Sequence, residues 1–172
     1  PTLRIVERTG ARLIGVDVHA DGVKVGREQA AARGLSELAS FEVVDAGQPL
    51  GFESGSFDAV VCIDAVNHLA DRPRVLSEWA RVLKPGGRIL YTDPAVVTGA
   101  LTNGEIARRS SIGFFLFVAP ETNDRMLSDA GLMVMKKMDV TEALARTASR
   151  WFEARAKRAV DLKRIEGDET LE

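Results

Sequence analysis

The chain has 172 residues, of which 45% are hydrophobic and 28% charged, and its formal net charge is −2 at neutral pH. These values are ordinary for a soluble globular protein, and the length suffices for one domain with a sizeable core but not for two. The small charge gives no general reason to expect binding to nucleic acid or anionic membranes, and no apolar run is long enough to span a bilayer. A single cysteine, Cys62, excludes an intrachain disulfide and favours a reducing cytoplasm as the location.

The first part of the chain alternates between predicted helices and predicted buried strands, the pattern of an α/β fold. In order, these elements are a helix over 1–7, a strand over 11–16, a helix over 21–33 and a strand over 41–44. A carboxylate follows each strand, Asp17 after the first and Asp45 after the second. Ligands of open parallel sheets bind outside the carboxyl ends of the strands, so both residues are candidates for a binding site.

The stretch from 52 to 90 predicts a strand, a loop, a helix and a second strand. The continuous apolar run over 59–63 is typical of a strand covered on both faces, and a second buried strand is predicted over 88–92. Between them, Asp71 is the predicted N-cap of a helix with Pro73 in its first turn. One apolar face of that helix is predicted from residues at helical spacing, namely Val75, Leu76, Trp79, Val82 and Leu83.

The remaining pattern is looser. The predicted elements are a short helix over 105–109, an aromatic segment over 111–119, a helix over 121–130, a strand over 132–139 and a long helix capped by Thr141. The apolar side of the long helix is predicted to comprise Leu144, Ala148, Trp151, Phe152, Ala159, Leu162 and Ile165. Its other side is basic, which a solvated face explains better than a nucleic-acid partner does.

Two motifs together carry a resemblance to a known family: Phe57-Asp58-Ala59-Val60 and Leu83-Lys84-Pro85-Gly86-Gly87. The combination resembles the class I S-adenosylmethionine-dependent methyltransferases over residues 1–140, and most closely the branch that acts on small molecules. The resemblance implies an α/β fold, with a Rossmann-like, mostly parallel sheet flanked by helices and incomplete at both ends. It also implies that 1–172 is one domain fragment, with a cofactor-binding half (1–94) and an acceptor-side and cap region (95–172).

The resemblance further implies how S-adenosylmethionine is held. Asp17 accepts hydrogen bonds from the ribose hydroxyls, a role that dinucleotide-binding folds share, and Val18 packs against the adenine. Asp45 accepts from the adenine amino group, and the backbone amide of Ala46 reaches a ring nitrogen. Two structural alternatives stay open: Asp17 as the N-cap of the next helix, and Asp45 as a turn residue.

Further roles fall on the loop after the third strand and on the aromatic segment. Ile63 and Asp64 are expected to flank the methionine portion of the cofactor. His68 is the candidate catalytic base, because histidine is the residue type best suited to exchange protons near neutral pH, with loop ordering or helix capping as the alternative. Asn67 is a candidate for positioning either the cofactor or the acceptor and is assigned to the substrate site, and Phe114 and Phe115 are predicted to line the acceptor pocket. No metal site is predicted.

One element of the family is not in the sequence, namely the strand and glycine-rich turn that admit the methionine end of the cofactor. In the family's sheet, that strand lies between those that end at Asp17 and Asp64. Without it, both strands would leave an apolar edge with unpaired backbone groups. We therefore expect the sequence to be an excerpt of a longer protein.

The predicted function is methyl transfer from S-adenosylmethionine to the O, N or C atom of a small molecule. Three alternatives are weighed against it. A nicotinamide-dependent dehydrogenase shares the strand-and-acid pattern at Asp17, a truncated module would bind the nucleoside without catalysis, and an RNA methyltransferase would use the basic last helix. A membrane partner is not expected. The sequence is compatible with assembly as a homodimer.

Overall fold

The computed structural model describes residues 2–93, 100, 102–104, 118–119 and 121–166, with the side chains of 165 and 166 left out. The helices are α1 (Thr2–Thr9), α2 (Ala20–Ala32), α3 (Arg72–Val82), α4 (Thr122–Asp129), α5 (Thr141–Lys157) and α6 (Ala159–Glu166). The strands are β1 (Leu13–Asp17), β2 (Ala39–Val43), β3 (Phe57–Cys62) and β4 (Leu83–Tyr91), and a 3₁₀ turn occupies Val66–His68. The chain divides into two compact units, Pro1–Val134 and Met135–Glu172. The predicted single domain, with its division near 94, stays a prediction.

The described strands pair in parallel, which confirms the predicted α/β class with a Rossmann-like arrangement. β1 pairs with β2, and β3 pairs with β4, forming two sheets of two strands each. Parallel neighbours require a crossover connection, and α2 and α3 supply it. Because parallel strands end at the same edge, each sheet brings two strand ends side by side.

The two sequence motifs that carry the family resemblance contact each other. Lys84 Nζ lies 2.9 Å from both carboxylate oxygens of Asp58. A Cβ on Gly87 would approach the Asp58 carbonyl oxygen to 3.2 Å and the Lys84 carbonyl oxygen to 2.9 Å, so only glycine fits. The strand over 88–92 was predicted too short, since β4 begins at Leu83, directly after α3.

The predicted apolar face of α3 forms the core of the second sheet. Asp71 Oδ1 accepts a hydrogen bond from the Arg74 N–H at 3.2 Å, and Pro73 lies in the first turn, so the predicted start is confirmed. The cluster of buried residues around α3 comprises Val66, Val75, Leu76, Trp79 and Leu127. It packs against one face of β3 and β4 and against α4.

A second cluster lies between α1, α2 and the first sheet. Its buried members are Leu3, Val6, Ala30 and Ala39. The ring of Phe41 packs so closely that a Cβ on Gly15 or Gly26 would come within 2.6 or 2.8 Å of it. These two glycines therefore set how near α2 can lie to β1 and β2.

The prediction that the strands are covered on both faces is wrong for the described part of the chain. Val60 and Cys62 pack on the α3 core, whereas Val61 and Leu90, on the opposite face, are 44% and 61% exposed. Successive side chains of a strand alternate between faces, so a helix on one side covers only every second residue. Val16 of β1 is likewise exposed.

Three predictions for the C-terminal part are wrong. Residues 132–139 form no strand, and Thr141 is the first residue of α5 rather than its cap. Asp139 Oδ1 accepts the Thr141 N–H at 2.8 Å, and its bonds to Thr141 lower the pKa of the Asp139 carboxyl. The predicted long helix is two helices that meet at Arg158, and no residue of α5 is buried. A strand over 132–139 would need a partner to pair its backbone.

None of the helices among the described residues is both long enough and apolar enough to cross a membrane. The predicted helix over 105–109 lies outside the described residues, as does most of the predicted aromatic segment.

Candidate cofactor and acceptor site

The ends of β1 and β2 present Asp17 and Asp45 at one edge of the first sheet. The Val44 N–H donates to the Asp17 carbonyl oxygen at 3.0 Å, which ties the two loops together. Asp17 Oδ1 accepts the His19 N–H at 2.9 Å, and Asp45 Oδ1 accepts the Gly47 N–H at 2.8 Å. Each carboxylate thus uses one oxygen to shape its own loop.

The surroundings of Asp17 and Asp45 leave both carboxylates accessible. Both residues are exposed, Val18 is 54% exposed and Ala46 is half-buried. A Cβ on Gly22 would lie 3.7 Å from Asp17 Oδ2, so glycine leaves that oxygen open on the helix side. The structure thus brings all four predicted nucleoside contacts to the end of one sheet.

The two structural alternatives for these carboxylates have different outcomes. Asp17 is not the N-cap of α2, because His19 holds that position and makes no side-chain cap bond. His19 is exposed. Asp45 does form a turn, through the bond to Gly47 and through its carbonyl oxygen, which accepts the Gln48 N–H at 2.9 Å. A turn role and a ligand role are compatible, since the turn uses only one of the two carboxylate oxygens, Oδ1.

At the second sheet, the loop after β3 is held against the end of β4. Asp64 has a left-handed backbone with φ of 56°, and its N–H donates to Thr92 Oγ1 at 2.9 Å. The Thr92 N–H donates to the Cys62 carbonyl oxygen at 3.0 Å. Asp64 and the neighbouring Ile63, which is 50% exposed, therefore lie at the open edge of this sheet.

The 3₁₀ turn places Asn67 inward and His68 outward. The Asn67 side chain is buried, and its Nδ2 lies 3.3 Å from His68 Nε2, whereas His68 is exposed. Leu69, directly after the turn, would contact a Cβ on Gly47 at 3.8 Å. The turn with the candidate base is therefore a neighbour of the loop that carries Asp45.

A buried polar network that the sequence reading missed lies at the same end of the second sheet. Arg72 Nη1 pairs with Asp93 Oδ2 and donates to Asn123 Oδ1 at 2.8 Å. Asn123 Nδ2 in turn donates to Asp93 Oδ2 at 2.8 Å. The Arg72 side chain is fully buried, and that of Asp93 is 6% exposed. Removing one partner of such a buried pair typically costs about 3–5 kcal/mol.

One member of this network could have been found from the sequence. Asp93 follows β4 as Asp17 follows β1, so the rule that selected Asp17 selects Asp93 as well. Arg72 and Asn123 gave no such signal, because neither belongs to a periodic or capping pattern. The predicted pocket residues Phe114 and Phe115 lie outside the described residues.

Two further ionisable groups near these strand ends are poor candidates for a base at neutral pH. Burial raises the pKa of the Cys62 thiol, as expected for a packed side chain. Burial, with a smaller contribution from the Asp93 carboxylate, raises the pKa of Tyr91 to about 12. Both groups therefore stay protonated at pH 7, so neither competes with His68 as the candidate base.

Parallel strands with acidic residues after their carboxyl ends define a nucleoside-binding type of α/β domain. The family described as "Methyltransferase domain" matches residues 2–91. Among curated proteins, the methyltransferase GfsG of Streptomyces halstedii is 31% identical over 148 residues, which are 83% of this chain and 52% of that protein. The chain therefore belongs to the class I S-adenosylmethionine-dependent methyltransferases, and it spans about half the length of this relative.

Solved structures agree on the fold. A phosphoethanolamine N-methyltransferase 2 of Haemonchus contortus superposes with a TM-score of 0.83 at 22% identity, over 94% of this chain and 37% of that one. The [4+2]-cyclase SpnF superposes with a TM-score of 0.64 at 27% identity, over 76% of this chain and 46% of that one. Proteins that share a fold do not thereby share a reaction.

Proposed function

We propose that the protein that carries this chain transfers a methyl group from S-adenosylmethionine to the O, N or C atom of a small-molecule acceptor. The observation that carries the proposal is the pair of accessible carboxylates, Asp17 and Asp45, held side by side by the bond from the Val44 N–H to the Asp17 carbonyl oxygen. Two carboxylates at one sheet edge suit the hydroxyl and amino groups of an adenosine.

The proposed cofactor contacts follow from this placement. Asp17 accepts from the ribose hydroxyls and Asp45 from the adenine amino group. The other contacts are Val18 and Ala46 around the adenine, and Ile63 and Asp64 beside the methionine portion. Support comes from the exposure of Asp17, Asp45 and Asp64, which leaves these carboxylates open to a ligand.

The proposed chemistry is an in-line displacement, for which the cofactor supplies an activated methyl group. In such a displacement an electron pair of the acceptor would bond to the methyl carbon as the carbon–sulfur bond breaks, and the electron pair of the broken bond would stay on sulfur. His68 removes the proton of a hydroxyl or ammonium acceptor. Asn67, 3.3 Å from the His68 ring, orients that ring, and Phe114 and Phe115 line the acceptor pocket. The chain mainly binds and aligns the two reactants.

A cytoplasmic location also belongs to this proposal. The support is the cysteine usage, since Cys62 is the single cysteine of the sequence and its thiol is free, as is usual in a reducing compartment. Assembly as a homodimer stays a prediction.

Titration calorimetry on the full-length protein tests the cofactor site, with S-adenosylhomocysteine and NAD as ligands. We expect S-adenosylhomocysteine to bind, and Asp17→Asn or Asp45→Asn to weaken it about 10- to 100-fold, the usual effect of losing a hydrogen bond to a charged group. The matched control is Asp21→Asn, an acidic residue in the first turn of α2 that carries no proposed contact. Binding of NAD alone, or equal affinities of the Asp17 and Asp21 variants, would contradict the proposal.

The reaction itself needs a separate test, since the fold is shared with a cyclase. Formation of S-adenosylhomocysteine together with an acceptor whose mass has increased by one methyl group would support methyl transfer. Turnover of an acceptor with no consumption of S-adenosylmethionine would defeat it.

A further inference from the structure

The guanidinium of Arg72 is buried, and three of its five N–H donors make no hydrogen bond within the described part of the chain. Its Nη1 pairs with Asp93 and donates to Asn123. Its Nε and Nη2 are shielded from solvent and have no hydrogen-bond partner among the described residues. Buried polar groups almost always have a hydrogen-bond partner in folded proteins. The Nε and Nη2 donors of Arg72 therefore call for a ligand or a bound water.

We propose that the Nε–Nη2 edge of Arg72 binds an oxyanion of the methyl acceptor, a carboxylate or a phosphate. The proposal rests on the proposed methyl transfer and adds the chemical class of the acceptor. Nε–H and one N–H of Nη2 point in the same direction, and two oxygens of one carboxylate or phosphate accept from them at once.

The network on the other side of the guanidinium fixes the direction of this edge. Asp93 and Asn123 hold Nη1 and also bond to each other, so Arg72 cannot rotate without breaking two contacts. Its side chain is 0% exposed. A donor pair held in place before the ligand arrives binds with little loss of conformational entropy.

Arg72 also lies at the appropriate end of the sheet for an acceptor. It begins α3 shortly after the turn that contains His68, and its partner Asp93 follows the end of β4. Thr92, the residue before Asp93, accepts the Asp64 N–H through its hydroxyl, so the ion pair of Arg72 and Asp93 lies near the strand end that precedes Asp64. The edge is thus close to the proposed position of the reacting methyl group.

The charges permit an oxyanion at this edge. Arg72 and Asp93 form a neutral pair, and an arginine can bind one carboxylate through Nη1 and a second through the Nε–Nη2 edge. The competing explanation is a water molecule on the edge. A water would leave the protein indifferent to carboxylates and phosphates, which makes the two explanations separable.

The test compares full-length wild-type protein, Arg72→Lys and the control Arg74→Lys. Lysine keeps the charge beside Asp93 but has no bidentate edge, and Arg74 is a partly exposed arginine of the same helix. Thermal unfolding is followed with saturating S-adenosylhomocysteine, in acetate, in inorganic phosphate and in chloride at constant ionic strength. We expect acetate or phosphate to raise the melting temperature of the wild type and of Arg74→Lys, and Arg72→Lys to lose most of that rise.

A second measurement uses paired acceptors, each carboxylic acid with its amide and each phosphate ester with its alcohol. We expect Arg72→Lys to raise KM for the anionic members about 10- to 100-fold, with KM for S-adenosylmethionine unchanged. A response to acetate and acids assigns a carboxylate, and a response to phosphate and phosphate esters assigns a phosphate.

Three results would overturn the proposal: no stabilisation of the wild type by either anion, equal stabilisation of Arg72→Lys, or equal KM effects on charged and neutral acceptors. If Arg72→Lys does not fold, the double variant Arg72→Met with Asp93→Asn, which removes both buried charges, takes its place with the same expectations. Wild-type binding of S-adenosylhomocysteine is measured first. Its absence would defeat the proposed function, whereas its presence without an anion response defeats only the role of Arg72.

Discussion

Thr92 Oγ1 accepts a hydrogen bond of 2.9 Å from the backbone N–H of Asp64, although the two residues lie at the ends of different strands. Asp64 has a φ of 56°, a conformation that is costly for residues other than glycine. The Thr92 N–H also bonds to the Cys62 carbonyl oxygen, so Thr92 contacts the chain on both sides of Ile63. The hydroxyl thus helps to hold the bend that leads from β3 to the turn with His68.

Replacing Thr92 by valine keeps the shape of the side chain and removes the acceptor. We expect Thr92→Val to lower the free energy of unfolding by about 1 kcal/mol, with an unpaired N–H as the reason. We also expect several-fold weaker binding of S-adenosylhomocysteine, because Asp64 would lose its fixed position. Thr92→Ser, which keeps the hydroxyl, is the control in urea unfolding and calorimetry. The same losses in both variants would show that the methyl group matters and the hydroxyl does not.

The buried ion pair of Arg72 and Asp93 yields a prediction for stability. We expect Arg72→Met to reduce the free energy of unfolding by about 3–5 kcal/mol, since it leaves the Asp93 carboxylate buried beside Asn123 without its cation. The double variant Arg72→Met, Asp93→Asn should lose clearly less than the sum of the two single variants. Urea unfolding of all four proteins gives the coupling energy.

The exposed ion pair of Arg74 and Asp71 in the same turn of α3 is the control for this cycle, with side chains 36% and 56% exposed. A coupling energy within about 1 kcal/mol is typical of such a pair. If the buried pair showed no larger coupling than the exposed one, the prediction of a strong interaction between Arg72 and Asp93 would be wrong.

The local elements of the fold were predictable because their causes are local. The start of α3 depends on Asp71 and Pro73, its apolar face depends on the spacing of residues such as Leu76 and Trp79, and all of these act within a few positions of the chain. The strand ends with Asp17 and Asp45 were predictable for a related reason. Parallel pairing aligns the ends of neighbouring strands regardless of the loop sequences.

The features that sequence reading missed depend on distant contacts. Arg72 meets Asp93 and Asn123 across 21 and 51 residues, and no spacing rule connects them. The predicted strand over 132–139 failed for the same reason. Strand preference is largely a preference for packing against neighbouring strands, and residues such as Met133 and Met135 are mostly exposed here.

The raised pKa of Tyr91 predicts that the protein loses stability in alkaline solution. Burial raises the pKa of Tyr91 to about 12 from an ordinary value of 10, so the folded protein keeps the phenol proton where the unfolded chain releases it. The stabilising effect is complete below about pH 10 and is lost as pH rises toward 12, since the unfolded state binds fewer protons over that window. We expect the urea midpoint to fall more steeply in that window for wild type than for Tyr91→Phe. Parallel curves would mean that Tyr91 ionises equally in both states.

The proposed role of His68 as the base predicts that replacing it changes the rate of methyl transfer and leaves the affinity for the cofactor unchanged. For a hydroxyl or ammonium acceptor, we expect His68→Gln to lower kcat about 10²- to 10⁴-fold, the usual contribution of a positioned base. The acid limb of the pH–rate profile, which requires an unprotonated imidazole, should disappear with it. Binding of S-adenosylhomocysteine should stay as in the wild type, because the exposed ring of His68 has no proposed contact with the adenosine.

The other histidine of the chain supplies the control for this prediction. His19 is exposed at the N-terminus of α2 and makes no side-chain cap bond, so His19→Gln should leave kcat and the pH profile unchanged. A His68→Gln enzyme with the wild-type kcat and an intact acid limb would exclude His68 as the base. In that case the contact between Asn67 and the His68 ring would help to order the loop, which is the structural alternative predicted for His68.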